Sequence, residues 1–561
     1  MGDRVTSSVA SALEAFCRRE QAHPERIFLV QPLAGGQVEQ LSWGQAGDQA
    51  RRIASYLRSL DLPERSHIAL FSRNCAHWIV ADLAIWMAGH VSVPVYPTHG
   101  PDAVRELLDH ADCRAVFIGK LDDWQSVRSN IRPQVPWIAL PLAPEGPGLL
   151  PWQTLLEAFE PLDQFPLPAA DDVATLIYTS GTSGPEKGVL LSFAAMCHAA
   201  TNWLRLLVMD ERDRLLSYLP LSHIAERQFI ETASLLAGAT VYFVHSSDTF
   251  VADARRARPT LLFSVPRIWS RLQRAVHQRI HSAVLNASLS TPLLGRWVGR
   301  RVLSQLGFDR VRYALSGAAP IQDQLILWYQ RLGMNLVEMY GLTENCGYSH
   351  LGRPKRFRLG RVGLPNPGVE CRLAEDGEIL VRSKATMLGY YKDSERTAEA
   401  LDQDGFLHTG DLGDIDQEGL LRVLGRKREL FESTTGRTIS PATIERLIAS
   451  DHLVDQVCVV GSLLPQPIAL VQLASHGAAL TERPRIEEAL SRLLISVNEC
   501  LGKHERLGCI VVIPGIWAVE NGFMTPMLTV RRSMVEAAYR DRFESWSISG
   551  RPVVWADSAE A

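Results

Sequence analysis

Strand-like and helix-like segments alternate along much of this 561-residue chain, and the alternation is what most constrains its fold. Apolar, β-prone runs at 67–72, 91–96 and 114–119 are separated by an amphipathic segment at about 77–88 and by another that begins at Asp102. A strand that returns through a helix lies parallel to the strand before it, so the pattern predicts a doubly wound parallel sheet. A second run predicts a second α/β lobe, with strands near 215–219, 240–244, 260–265, 311–316 and 335–338.

Further along the chain, changes in composition indicate a surface connection, a small barrel and a C-terminal domain. The proline-rich stretch 132–168 is predicted to be a surface connection, and from Arg358 short runs separated by Gly, Pro, Asn and Asp predict a small antiparallel barrel. The pattern changes again at 425–429, and the roughly 130 residues beyond have the size of a compact α+β domain. The sequence therefore predicts an α/β N-terminal domain at 1–425, a junction at 426–428 and a small C-terminal domain at 429–561.

Composition excludes some classes of partner. A formal net charge of −4 and a pI near 6.5 give no long-range attraction for nucleic acid. The nine cysteines stand singly without metal-ligand spacing, which indicates reduced thiols. No apolar run is long and uninterrupted enough to span a bilayer, so the protein is expected to be cytoplasmic. Composition does not exclude peripheral contact of the protein with the inner face of the membrane.

The segment TLIYTSGTSGPEKGV at 175–189 has the composition of a polyphosphate-binding loop. An apolar strand leads directly into a loop whose glycines let backbone N–H groups approach an anion closely. Hydroxyl groups add hydrogen-bond donors, and a lysine adds positive charge. The residues predicted to bind phosphate are Thr179, Ser180, Gly181, Thr182, Ser183, Gly184 and Lys187.

This loop does not follow the Walker A order, because Val189 stands where that motif carries the hydroxyl that binds Mg²⁺. Only seven of the 58 basic residues are lysines, so the chain uses Arg almost everywhere. A lysine kept beside phosphates is informative, since a compact ammonium and a planar guanidinium are not interchangeable there. The alternative interpretation is an ordinary Ser/Gly surface turn.

A second candidate site lies in the stretch HTGDLGDIDQEGLLRVLGRKREL. Two strand-like runs flank a turn at 416–419, and a hairpin centred there would place Asp411 opposite Gly425 and Arg426. A carboxylate can accept hydrogen bonds from both hydroxyls of a ribose, and Arg can donate to the same sugar. The alternative is a surface hairpin with an ion pair.

Taken in order, these motifs resemble those of the adenylate-forming superfamily, which includes acyl-CoA synthetases, luciferases and peptide-synthetase adenylation domains. The resemblance implies that a carboxylate is activated with ATP and Mg²⁺ and that the acyl group passes to a thiol. The segments LPLSHIAER, VPRIW, SGAAP and LGYYKDSERT are most similar to long-chain and bubblegum-type fatty acyl-CoA synthetases. Fatty acid and CoA are then the implied substrates, and a homodimer is consistent with the family.

The resemblance also assigns roles to individual residues. In EMYGLTENCG, Tyr340 and Gly341 match the adenine-binding positions, Thr343 the α-phosphate contact and Glu344 the Mg²⁺ ligand. In SGAAP, the small residues that line the adenine and acyl pocket are Gly317, Ala318 and Ala319. His223 borders the acyl site, Asp411 and Arg426 hold the ribose, Arg428 is the hinge, and Gly436 lies in the loop near the CoA thiol.

One position departs from the family pattern. In ENGFMTPMLTVRRSM, Thr529 occupies the place of the lysine that contacts the substrate carboxylate and the α-phosphate during adenylation. Arg428 stands where many fatty acyl enzymes have Lys and so keeps its charge, whereas Thr529 carries none. Loss of one positioned charge at a developing oxyanion typically costs roughly 10²- to 10³-fold in rate. Lys427, Lys503, Arg531 and Arg532 are the cations that could compensate.

Three hypotheses follow from this departure. The first is a fatty acyl-CoA synthetase whose adenylation step is weakened or compensated. The second is a ligase that delivers the acyl group to an acyl carrier protein or another nucleophile, or that consumes a preformed acyl-adenylate. The third is a non-catalytic relative that binds nucleotide or acyl groups.

Overall fold

The structure is a computed structural model that describes residues 11–121, 124–128, 135–179, 186–353, 356–432, 434, 436–462, 464–474 and 483–556. Within these residues the strands form six sheets, and the predicted α/β architecture is confirmed. Ser180, Gly181, Thr182, Ser183 and Gly184 of the predicted phosphate loop lie outside the described residues.

The largest sheet contains the strands of the first alternating run. Its central strands are parallel, as predicted, but one edge is antiparallel because Val173–Thr179 and Lys187–Ser192 form a hairpin. In spatial order its strands are Gly389–Tyr390, Lys187–Ser192, Val173–Thr179, Val91–Val95, His67–Phe71, Cys113–Ile118, Trp137–Ala139 and Leu149–Pro151.

The second alternating run forms two further sheets. In the first, the order is Arg214–Ser217, Thr240–Phe243, Ile27–Pro32 and Val38–Ser42. In the second, three parallel strands are followed by two short antiparallel ones, and the order is Leu261–Ser264, Tyr313–Ser316, Leu336–Tyr340, His350–Leu351 and Leu364–Pro365.

Helices cover these sheets. Helix Ala76–Met87 is buried along its whole length, which accounts for its apolar sequence. No helix in the described part of the chain is long and apolar enough to cross a membrane. The other α-helices are Ala12–Ala22, Trp43–Ser59, Pro101–His110, Trp124–Arg128, Trp152–Ala158, Phe193–Leu207, Ile224–Glu226, Ala233–Ala237, Phe250–Ala257, Pro266–Arg279, Ser282–Leu289, Pro292–Leu306, Asp323–Arg331, Ser394–Ala400, Pro441–Ile448, Arg483–Cys500, Arg532–Tyr539 and Phe543–Ser547, with a π-helix at Arg227–Thr232.

The remaining sheets follow the change in composition that the sequence shows near Arg358. An antiparallel sheet has the order Glu370–Leu373, Glu378–Arg382, Leu407–Ile415 and Leu421–Arg426. A short pair, Phe431–Glu432 with Thr438–Ile439, follows the junction. The C-terminal sheet combines one antiparallel pair with two parallel ones, in the order Val454–Val460, Ile468–Leu473, Ile510–Val512 and Val553–Trp555.

The structure corrects the prediction for two segments. The stretch 132–168 is more than a surface connection, because strands Trp137–Ala139 and Leu149–Pro151 extend the largest sheet and Ile138 is fully buried. Strand Ile27–Pro32, which the sequence did not predict, pairs with Thr240–Phe243 and so joins the N-terminus to the second lobe. Such short strands carry little periodic signal, and only their partners stabilise them.

Candidate active site

A cleft of about 1560 Å³ lies where the strand ends of the second lobe, the antiparallel sheet and the C-terminal segment meet. Most of the described candidate residues line it. They are Thr179, Lys187, His223, Ala318, Ala319, Tyr340, Gly341, Thr343, Glu344, Asp411, Arg426, Arg428 and Thr529.

Gly317 and Gly436 are not among the residues that line the cleft. Gly317 lies behind the wall, where an added Cβ would be 3.0 Å from Met339 Cγ and 3.1 Å from Phe263 Cε2. Both of those side chains line the cleft, so the absence of a side chain at Gly317 allows the wall to pack.

The predicted hairpin places Asp411 directly opposite Arg426, as the turn chemistry indicated. Arg426 Nε lies 3.1 Å from Asp411 Oδ1, and Tyr340 Oη donates a hydrogen bond of 2.7 Å to Asp411 Oδ2. Asp411 is only 4% exposed; burial raises the pKa of its carboxyl, and the charge of Arg426 opposes that rise. The ribose-binding and adenine-binding candidates thus form one hydrogen-bonded group.

Glu344 is held at the other side of the cleft by the short turn Thr343–Asn345. Its Oε1 accepts a hydrogen bond of 2.8 Å from Tyr390 Oη. The approach to this turn is crowded, since a Cβ on Gly341 would lie 2.4 Å from the carbonyl carbon of Gly347. Only glycine therefore fits between strand Leu336–Tyr340 and this turn.

Lys187 joins the same group. Its Nζ lies 4.8 Å from the ring centroid of Tyr390, at a distance where a cation is attracted to the aromatic face. Burial lowers the pKa of Lys187; Glu344 opposes that shift, and Arg428 adds to it. Thr179 and Lys187 are paired across the hairpin, so the two ends of the predicted phosphate loop are fixed side by side.

His223 contributes to the wall of the cleft and also caps the short helix Ile224–Glu226. Its Nδ1 accepts a hydrogen bond of 3.1 Å from the Ala225 N–H. Burial lowers the pKa of His223 to about 4, so its imidazole is neutral at physiological pH. The residue thus combines the pocket position that the resemblance implied with the structural role that was its alternative.

Two residues of the site were not identified from the sequence. Tyr390 reaches Glu344 only because Gly389–Tyr390 adds to the edge of the largest sheet beside Lys187–Ser192. Glu338 lines the cleft beneath Tyr340, and burial raises its pKa to about 7, which the positive charge of Arg446 partly offsets. The motif EMYGLTE contains Glu338, but nothing in its spacing shows that the carboxyl faces the cleft.

Thr529 reaches the cleft on a tight hairpin. Its Oγ1 lies 2.6 Å from Thr525 Oγ1, Thr525 N donates to Thr529 O at 2.8 Å, and Leu528 has a φ of +63° at the turn. The two threonine hydroxyls satisfy one another, so this position presents a neutral, preformed surface. Position 529 thus lines the cleft, and its role there stays a prediction.

The cations that could replace a lysine at position 529 differ in their ion pairs and in whether they line the cleft. Lys427 is ion-paired with Asp376 and Glu378 of the antiparallel sheet, and Arg532 is ion-paired with Glu445. Lys503 does not line the cleft. Arg531 does line it, and within the described residues it forms no ion pair.

The C-terminal segment is fixed over the cleft by a second set of contacts. Arg274 Nη2 and Arg267 Nη2, both from helix Pro266–Arg279, lie 2.6 and 3.2 Å from the two carboxylate oxygens of Asp455. Gln322 Nε2 donates to Ala449 O. These contacts define an orientation in which the Thr529 hairpin faces the cleft and Gly436 lies away from it.

The side chains of the cleft include one candidate ligand for a metal ion, Glu344. No group of three or more His, Cys, Asp and Glu side chains that could hold a metal by itself occurs in the described residues. Glu344 is a hard oxygen ligand beside the predicted phosphate loop, and Mg²⁺ in nucleotide sites commonly takes one or two carboxylates together with phosphate oxygens. The residues therefore fit a Mg²⁺ that is bound jointly with a nucleotide.

Comparison with known proteins identifies the family to which the chain belongs. The family model described as AMP-binding enzyme matches residues 16–391, and that of the AMP-binding enzyme C-terminal domain matches residues 430–546. Long-chain-fatty-acid--CoA ligase FadD15 of Mycobacterium bovis is 28% identical, over 94% of this chain and 95% of its own. The putative fatty-acid--CoA ligase fadD11 of Mycobacterium tuberculosis is 31% identical, over 69% and 76%.

Solved structures share the fold. The anthranilate CoA ligase AuaEII has a TM-score of 0.77 at 19% identity and covers 94% of this chain and 97% of its own. The A-PCP didomain of the carboxylic acid reductase from Segniliparus rugosus has a TM-score of 0.80 at 21% identity, with coverages of 98% and 83%. The family models, which match residues 16–391 and 430–546, show that the chain belongs to the family of AMP-binding enzymes.

Proposed function

We propose that this protein is an AMP-forming acid–thiol ligase that converts a medium- to long-chain fatty acid into its CoA thioester. The observation that carries the proposal is the meeting of two side-chain groups in one cleft. Asp411, Tyr340 and Arg426 suit a ribose and its base, whereas Lys187, Glu344 and Tyr390 suit phosphates with Mg²⁺. The names of the sequence relatives supply the acyl class.

In the first step the fatty carboxylate attacks the α-phosphate of ATP, a P–O bond forms to the acyl oxygen, and pyrophosphate leaves. Asp411 accepts from the ribose hydroxyls and fixes the nucleotide, while Lys187 and the Thr343 hydroxyl neutralise and orient the phosphates. Mg²⁺ held by Glu344 supplies additional charge neutralisation when it is bound. His223 is neutral and forms part of the wall beside the acyl chain.

Arg531 is the cation that best compensates for Thr529 in this scheme. Thr525 bonds to Thr529 across the hairpin, and Arg531, the residue before helix Arg532–Tyr539, donates its backbone N–H to Phe523 O. Alternate residues of an extended chain point to the same face, so Thr529 and Arg531 share the face that carries the Thr525 hydroxyl. A longer side chain two residues away can place charge near that of the usual lysine.

In the second step the thiol of CoA attacks the acyl carbonyl, a C–S bond forms, and AMP leaves with the acyl oxygen. We propose that residues 1–425 and 429–561 are the two domains and that they reorient about 426–428, with Arg428 as the hinge. Gly436 would then come to the thiol side of the cleft. The family models match on either side of this junction.

Purified protein with ATP, Mg²⁺, CoA and a panel of fatty acids tests the proposal by mass spectrometry of thioesters and by pyrophosphate release. Acyl-CoA accompanied by AMP is the expected product. Acyl transfer to an acyl carrier protein without transfer to CoA would favour the carrier-protein alternative. If no fatty acid gives pyrophosphate release, the hypothesis of a non-catalytic relative that binds nucleotide or acyl groups would be favoured. Peripheral membrane contact and a homodimer are further proposals.

A further inference from the structure

A helical hairpin carries the largest cluster of exposed apolar side chains in the described residues. It consists of helices Ser282–Leu289 and Pro292–Leu306, joined by a two-residue turn. Leu293 is 83% exposed, Trp297 65%, Val284 60% and Leu294 47%. Scattered exposed apolar residues need no explanation, but a contiguous group that includes Trp marks an interaction site. These four residues are called the Leu293 surface below.

Glycine contacts fix which face of the second helix points outward. A Cβ on Gly295 would lie 2.6 Å from the Leu289 carbonyl oxygen, and one on Gly299 would lie 2.5 Å from that of Leu332. The helix backbone therefore seats directly on its neighbours along this side. Helical spacing then turns Leu293 and Trp297 away from the protein, so their exposure is built into the packing.

The charge around this surface has one sign. The hairpin at 282–306 contains three arginines and no acidic residue, in a chain whose net charge is −4. Arg296, Arg300 and Arg301 lie on the exposed part of the hairpin, and none of them forms an ion pair among the described residues. A local excess of positive charge beside exposed Leu and Trp is complementary to an anionic interface with an apolar interior.

We propose that the Leu293 surface docks the protein onto an anionic lipid bilayer, with Leu293 and Trp297 inserted at the interface and Arg296, Arg300 and Arg301 at the lipid phosphates. Trp and Leu on one face with Arg beside them are typical of helices that lie in a membrane interface. Arg stems can cover apolar surface while their guanidinium groups reach the headgroups.

The hairpin lies at one end of the cleft, so docking at this surface would bring the cleft close to the bilayer. Helix Pro266–Arg279 lines the cleft through Arg267, Gln273 and His277, and Ser282 at the start of the hairpin lines it as well. The cleft therefore extends to the base of the proposed docking surface. This link rests on the proposed function, because a fatty acid dissolved in the bilayer would enter at this end.

Vesicle co-sedimentation of the full-length protein tests the surface independently of any enzymatic activity. The wild-type protein should bind vesicles of phosphatidylglycerol mixed with phosphatidylcholine, bind pure phosphatidylcholine weakly, and dissociate as salt is raised. The double variant Leu293→Ser, Trp297→Ser should lose measurable binding. Arg300→Gln, Arg301→Gln should bind at least roughly tenfold more weakly, because each cation near an anionic surface contributes separately.

Ile548→Ser is the matched control, since Ile548 is 72% exposed but lies in the C-terminal segment. It should bind vesicles like the wild type, and all variants should melt at the wild-type temperature. Equal vesicle binding by wild type and the Leu293/Trp297 variant would overturn the proposal. So would a wild-type dimer that becomes monomeric in that variant, since a second copy would then cover the surface. A protein that binds vesicles but makes no acyl-CoA would overturn the proposed function and leave this inference intact.

Discussion

The two sides of the cleft differ in how completely their polar groups are arranged in advance. On the side proposed to bind the nucleotide, Asp411 is already bonded to Tyr340 and Arg426, and Glu344 to Tyr390. On the C-terminal side, Thr529 and Thr525 bond to each other and present no charge. In the proposed function the first side holds the nucleotide, whereas the second lacks the lysine that the resemblance implies there. Binding and chemistry are therefore expected to respond to different substitutions.

Removal of Asp411 should have the largest effect. Asp411→Ala leaves Arg426 without its carboxylate and removes the acceptor for the ribose hydroxyls, so kcat/KM for ATP should fall by more than roughly 10²-fold. Asp414→Asn changes a carboxylate on the same strand that pairs with Arg422 and Arg361, and it should change kcat/KM little. An unchanged kcat/KM in Asp411→Ala would contradict the proposal that Asp411 binds the ribose of the nucleotide.

Restoration of the family lysine is the next largest change. Thr529→Lys should raise the rate of pyrophosphate release by roughly 10²-fold, because a positioned cation would then face the developing charge. Thr529→Gln lengthens the side chain without charge and should not reproduce the gain. Conversion of a supplied acyl-adenylate with CoA should be unaffected. If Thr529→Lys leaves adenylation unchanged, this position does not limit the first step.

A smaller effect is expected at Arg531. Arg531→Gln should slow adenylation about tenfold in the wild-type background but much less in Thr529→Lys, where the lysine makes the second cation redundant. Arg531→Lys keeps the charge and should retain most of the rate. Equal losses in the two backgrounds would show that Arg531 acts independently of position 529.

The smallest effect concerns stability at the boundary between the two sides. Burial raises the pKa of Glu338 from 4.5 to about 7, so the folded state binds a proton that the unfolded state has released between these pH values. The free energy of unfolding should therefore fall as pH rises from about 4.5 to 7 and then level off. Denaturant titrations should show a flatter profile for Glu338→Gln, and an equally steep profile would contradict the buried-carboxyl assignment.

The sequence predicts those contacts that depend on local chemistry. The pairing of Asp411 with Arg426 follows from a recognisable turn at 416–419, and the parallel order of the largest sheet follows from strand–helix alternation. The contact between Tyr390 and Glu344 depends on a two-residue strand that joins a sheet edge far away in sequence. No periodicity encodes such a pairing, because it is selected by tertiary packing.

Charge partners were equally unpredictable. The sequence offers Lys427 as a cation that could compensate for Thr529, but the antiparallel sheet brings Asp376 and Glu378 to it. The clamp of Arg267 and Arg274 on Asp455 joins residues almost two hundred positions apart. The resemblance singles out position 529, which lines the cleft, but only the structure shows which neighbouring cation remains without an ion pair among the described residues.

The two arginines on Asp455 also bear on the balance between the orientations of the C-terminal domain. Both contacts must break before Gly436 can reach the cleft in the proposed second step, so they favour the population that presents Thr529. Salt weakens such partly exposed ion pairs and should shift that population. The apparent affinity for the nucleotide and that for the thiol donor should then change in opposite directions with ionic strength, which makes one carboxylate a regulator of the order of events.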